Sequence, residues 1–83
     1  MKKVTIYSTD YCPYCFHAKA LLDSLQISYE EIKVDTDPAM RAHMEKISGR
    51  RTVPQIFIGE KHIGGFDDLK ALYEADELQK WLL

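Results

Sequence analysis

The chain has 83 residues, 46% of them hydrophobic and 29% charged, and carries a formal net charge of −2. That length suits a single domain over residues 1–83 and is too short for two. The slight negative balance argues against nucleic acid as a partner, and no apolar run approaches the roughly 18 residues that span a bilayer. "MKK" resembles the start of a signal peptide. The "VTIYSTD" after it is too short and polar for an apolar leader, so a cytoplasmic protein is expected.

In chain order, "KKVTIYS" alternates around Val4, Ile6 and Ser8 and predicts a first strand. From Pro13 the period changes: Cys15, Ala18, Leu21, Leu22 and Leu25 share one helical face, while His17, Lys19 and Asp23 lie elsewhere. "ISYEEIKVD", Ile27 to Asp35, reads as a second strand. Asp37 before Pro38 sets a helix start, Met40, Met44 and Ile47 give it an apolar stripe, and Gly49 ends it. "VPQIFIGEKHIGG" predicts a hairpin, with Ile56 to Ile58 as one arm, "GEK" at the turn, and His62 and Ile63 in the other arm. Asp67 and Asp68 open a last helix that carries Leu69, Leu72, Tyr73 and Leu78 and is broken near Asp76. The order β-α-β-α-β-β-α implies an α/β fold whose first two strands are parallel through a right-handed crossover. The hairpin adds two antiparallel strands. The expected architecture is a mixed four-stranded sheet flanked by helices.

The two cysteines of the chain, Cys12 and Cys15, stand in "CPYC" at the junction of the first strand and the first helix. In a reducing compartment such a pair reads as redox or metal chemistry and not as a staple. A bridge between them closes so small a loop that chain entropy adds little stability. A tetrahedral zinc site needs four ligands, and three scattered histidines do not complete one. Pro13 at the first helical position leaves the sulfur of Cys12 beside free N–H groups and the positive end of the helix dipole, where a thiolate is stabilised. Cys15, one turn further on and on the apolar face, is expected to be buried and to keep its proton. The pair is therefore asymmetric: Cys12 attacks and Cys15 resolves.

"CPYC" after a first strand, "TVPQIFI" from Thr52 and "GGFDD" from Gly64 together resemble the dithiol glutaredoxins almost end to end. The resemblance implies a thioredoxin fold and a glutathione-dependent thiol–disulfide oxidoreductase acting on protein–glutathione mixed disulfides and protein disulfides. Glutathione is the implied reductant, with no tightly bound cofactor, and glutathione reductase with NADPH serves indirectly by recycling it. The sequence leaves the oligomeric state open, with a monomer as the default expectation. By the same resemblance Val53-Pro54 is the family's cis-proline step, and Val53 pairs its backbone with the cysteine of glutathione as an added strand would. Gly65 permits close approach, and the backbone of Phe66 and Asp67 holds the γ-glutamyl carboxylate, with the Asp67 side chain on the ammonium group. Asp67 is also expected to cap the helix. Tyr14 flanks the sulfur, Thr52 shapes the groove, and Arg41 reaches the glycine carboxylate.

The rival implied by related glutaredoxins is a carrier of a [2Fe–2S] cluster, ligated by Cys12 and glutathione between two subunits. Pro13 and the second cysteine count against it. One departure stands out. Relatives commonly carry Lys three residues before the first cysteine, where this chain has Thr9 followed by Asp10. A less favoured thiolate and a weaker hold on glutathione are expected from that exchange, with Lys19, Arg50 and Arg51 as possible compensating charges.

Overall fold

The computed structural model describes all residues from Met1 to Leu83. Its elements are β1 (Val4–Ser8), α1 (Pro13–Ser24), β2 (Tyr29–Lys33), α2 (Pro38–Ser48), β3 (Gln55–Ile58), β4 (Lys61–Gly64), α3 (Phe66–Glu74) and α4 (Leu78–Leu82). The strands form one four-stranded sheet in the order β2-β1-β3-β4. β1 runs parallel to β2, with Ile6 beside Glu31, and antiparallel to β3, with Ile6 beside Ile56. β3 and β4 form the antiparallel hairpin, and the register shifts between Ile56 and Phe57.

The β1-α1-β2 start and the hairpin match the expectation from the sequence. β2 is shorter than "ISYEEIKVD", because only Tyr29–Lys33 have β1 to pair with. The last helix is two: Asp76 takes a left-handed conformation (φ 58°) and separates α3 from α4. α2 starts as predicted, with Asp37 accepting the Met40 N–H at 3.1 Å and Pro38 following, and it ends on left-handed Gly49 (φ 71°).

Alternation along β1 and β3 sends side chains to both faces of the sheet. On one face Val4, Ile6, Ile56 and Ile58 meet Ala18 and Leu22 of α1, Leu69 of α3, and Leu78 and Leu82 of α4. On the other, Tyr7, Val34 and Phe57 receive only Met44 from α2. The expected stripe of α2 is therefore narrower than its periodicity suggested: Met40 and Ile47 stay exposed, since this small second layer has room for one α2 anchor. At the end of β1 the polar side chain of Ser8 enters the interior hydrogen-bonded. Ser8 donates to Glu31 at 2.6 Å, and Lys19 reaches the same carboxylate at 2.8 Å.

Candidate active site and glutathione groove

α1 begins where β1 runs out, and the residue at its N-cap is Cys12. An N-cap side chain ordinarily accepts a backbone N–H through oxygen. Here the acceptor is sulfur: the Cys15 N–H donates to Cys12 Sγ at 3.1 Å. Pro13 at the first helical position has no N–H to compete for it. Cys12 Sγ also lies 3.6 Å from the Val53 carbonyl oxygen, toward which a thiol can donate. The two sulfurs differ in access, with Cys12 9% exposed and Cys15 0%. Burial pushes the Cys15 thiol up to about 12, and its hydrogen bond with Cys12 adds to the rise, while the Thr9 backbone N–H pulls the other way. Cys15 is thus a thiol at neutral pH. Both cysteines are free.

A groove runs from this point between three segments. α1 contributes Tyr14, the stretch leading into β3 contributes Arg50, Thr52, Val53 and Pro54, and the turn into α3 contributes Gly65, Phe66, Asp67 and Asp68. The Val53–Pro54 peptide is cis. The N–H and C=O of Val53 have no backbone partner and are open to a ligand strand. Tyr14 stacks near the Phe66 ring, their centroids 6.4 Å apart.

At the far wall, Gly65 is the N-cap of α3. The expectation that Asp67 caps this helix is corrected: Asp68 does so, accepting the Gly65 N–H at 2.9 Å. Three residues after the N-cap is the position from which a carboxylate reaches back to it, and Asp67 is one short. Asp68 also meets Arg50 at 3.2 Å. The Gly65 N–H, helped by Arg50 and opposed by partial burial, holds the Asp68 carboxyl below the usual aspartate range. Asp67, with no such partner, faces the groove, and the N–H groups of Phe66 and Asp67 have no intrahelical acceptor.

The structure therefore brings Tyr14, Thr52, Val53, Pro54, Gly65, Phe66 and Asp67 together beside Cys12. Arg41 is not in the lining. Its guanidinium donates to the Arg51 carbonyl at 3.1 Å and pairs loosely with Glu45. Arg50, read from the sequence only as a compensating charge, lines the groove, as does Asp68. The Gly-Phe-Asp-Asp spacing of a helix cap was the available signal for Asp68; none marked Arg50. At the departure noted above, Thr9 is buried with its hydroxyl unpartnered. The charge of Asp10 is met by Lys33 of β2 at 2.5 Å.

A strand-to-helix dithiol beside a cis-proline, on a mixed four-stranded sheet, defines a thiol–disulfide oxidoreductase of the thioredoxin fold. The particular branch follows from comparison. The glutaredoxin family model matches residues 4–63. A Pseudomonas aeruginosa protein named glutaredoxin is 48% identical over 82 residues, covering 99% of this chain and 98% of its own. Glutaredoxin 3 of Escherichia coli is 56% identical over 72 residues, 87% of either chain. Among solved structures, a buckwheat glutaredoxin–glutathione complex superposes with a TM-score of 0.88 at 36% identity, over 95% of this chain and 74% of that one. The solution structure of Brucella melitensis glutaredoxin gives 0.87 at 48% identity, over 99% and 89%. A third, described as showing metal binding of glutaredoxins, gives 0.76 at 48% identity, over 99% and 89%. The chain belongs to the glutaredoxin family. It is a glutathione-dependent thiol–disulfide oxidoreductase, with glutathione as its reductant.

Proposed function

We propose that this chain reduces protein–glutathione mixed disulfides with Cys12 alone, and protein disulfides with Cys12 and Cys15 in sequence. The observation that carries the reading is the asymmetry of the pair: one sulfur caps a helix at the edge of a groove, and the other is buried behind it as a thiol. In the first route Cys12 thiolate attacks the glutathione sulfur of a mixed disulfide. A Cys12–glutathione bond forms, the bond to the protein sulfur breaks, and the departing thiolate takes a proton from water. The thiolate of a second glutathione then attacks the glutathione sulfur on Cys12, releasing glutathione disulfide and restoring Cys12 thiolate. The N–H of Cys15 stabilises the same charge at the start and the end, so Cys12 serves as nucleophile and as leaving group. In the second route Cys12 holds the substrate as a mixed disulfide. Cys15 then loses its proton and attacks Cys12, closing the 12–15 bridge and expelling the substrate thiolate. Two glutathiones reopen the bridge.

The groove would hold glutathione as the family resemblance implies. Val53 pairs with its cysteine residue, and the N–H groups of Phe66 and Asp67 take the γ-glutamyl carboxylate. Asp67 takes the ammonium group, while Tyr14, Thr52, Pro54 and Gly65 shape the walls. Arg41, beyond the lining, serves the glycine carboxylate from outside. The protein partners are glutathionylated and disulfide-containing proteins, with glutathione reductase acting through glutathione. The working unit is one monomeric cytoplasmic domain over residues 1–83, and no helix is long and apolar enough to cross a membrane.

A coupled assay with NADPH, glutathione reductase and a glutathionylated peptide tests the division of labour. Cys15→Ser keeps deglutathionylation and loses protein-disulfide reduction, whereas Cys12→Ser loses both. Equal loss of both activities in Cys15→Ser would contradict the assignment.

A second reading has one observation in its favour, the metal-binding glutaredoxin among the structural neighbours. With Cys15 fully buried, Cys12 would be the sole thiolate this chain could give a [2Fe–2S] cluster, the rest coming from glutathione and a second chain. The visible absorption spectrum of protein purified without air separates the two readings.

A further inference from the structure

Behind the groove lies a polar cluster that the thiol chemistry does not use. Gln55, at the start of β3, is 0% exposed, and a buried amide costs stability unless both of its ends are bonded. Its Nε2 lies 3.0 Å from the Thr52 carbonyl oxygen and 3.2 Å from Thr52 Oγ1. Its Oε1 lies 2.7 Å from His62 Nε2 on β4. The ring of His62 is held against Phe57, with the centroids 4.9 Å apart.

The direction of every bond in this cluster follows from one atom. The Thr52 carbonyl can only accept, so the amide nitrogen of Gln55 must face it, and the amide oxygen must face His62. His62 therefore donates from Nε2. The two hydrogens of the Gln55 amide serve the Thr52 carbonyl and the Thr52 hydroxyl oxygen. That oxygen accepts once inside the protein, so its own hydrogen is not spent on Gln55 and stays available to an acceptor outside. Thr52 lines the groove, so an acceptor held there is within the hydroxyl's range of rotation.

We propose that His62 and Gln55 are positioning residues for glutathione, forming a one-way hydrogen-bond chain, His62 to Gln55 to Thr52, that holds the Thr52 hydroxyl where it can donate to a carbonyl or carboxylate oxygen of the ligand. Without Gln55 to supply the inner donor, the hydroxyl is free to turn its hydrogen inward or to present a lone pair to an acceptor oxygen. The inference rests on the groove being the glutathione site.

The test measures KM and kcat for a glutathionylated peptide, with the rate of Cys12 alkylation by iodoacetamide as a readout that needs no groove. Thr52→Val and His62→Leu should each raise KM roughly three- to tenfold, the worth of one net hydrogen bond. In both, kcat and the alkylation rate should stay within about twofold of wild type. His62→Gln restores an N–H donor to Gln55 and should recover most of the KM. His62→Leu placed on Thr52→Val should add nothing further, because His62 acts on the ligand only through the Thr52 hydroxyl. An additive effect of the two substitutions would overturn the proposal, as would wild-type KM in either single variant. Asp67→Asn tells two failures apart. A raised KM there, with Thr52→Val unaffected, leaves the groove standing and removes the chain. An unchanged KM in all three variants removes the groove reading itself.

Discussion

Two helices begin at the same groove, and their starts are built in opposite ways. At α1 the N-cap is Cys12, whose side chain takes the Cys15 N–H for itself. At α3 the N-cap is Gly65, which has no side chain, so the cap comes from Asp68 within the helix. The field at a helix N-terminus favours negative charge in both cases. On the function proposed above, the α1 cap is the nucleophile. On the same reading the α3 start, with its cap tucked inside and its outer N–H groups left free, is the receptor for a carboxylate. One groove would thus hold a site that reacts and a site that binds, from the same element of secondary structure.

The α3 start depends on the glycine before it. Gly64 has a φ of 125°, and a side chain there would overlap the Asp68 carboxylate that makes the cap. Gly64→Ala should give the largest effect. Forced backbone conformation and loss of the cap together should lower stability by about 2 kcal/mol. A rise in KM for glutathionylated substrate should accompany it, with the alkylation rate of Cys12 near wild type. Urea unfolding and steady-state kinetics on the same preparation check both halves. A loss confined to Cys12 reactivity would mean that the two helix starts are not separable.

Exchanging the acidic pair one residue at a time sharpens the contrast. Asp67→Asn should raise the glutathione-dependent KM by about tenfold, as expected for a lost charged hydrogen bond, with little change in unfolding temperature. Asp68→Asn should give the smaller effect, and mainly on stability. The folded Asp68 carboxyl lies below its ordinary value, so its stabilising contribution is complete above the unfolded value of about 3.9. That contribution is lost as pH falls through the lower folded value. The gap in melting temperature between wild type and Asp68→Asn should therefore be widest near neutral pH and close in acid. A gap that widens in acid would reverse the assigned sign.

Much of this was legible in the sequence, and for identifiable reasons. The change from alternating to helical period at Pro13 and the hairpin around Gly59 place the strands without reference to any relative. "CPYC" marked the dithiol by its spacing, while "TVP" and "GGFDD" pointed to the groove through the family resemblance. The division of the last helix was visible only as a break near Asp76, because aspartate tolerates the left-handed region without demanding it. The exposure of Met40 and Ile47 was hidden, since periodicity tells which face of a helix is apolar and not how wide its partner is. Arg50 at the groove and the link from His62 through Gln55 to Thr52 were hidden too. They depend on how β3 and β4 meet, and no local pattern encodes that.

The claim beneath all of this is that the two sulfurs of one helical turn have different jobs because they have different surroundings. Limiting iodoacetamide on the reduced, folded protein at neutral pH, followed by peptide mass spectrometry, tests it directly. The account predicts carbamidomethyl at Cys12 and none at Cys15 until the chain is denatured. Comparable labelling of both cysteines in the folded protein would contradict it.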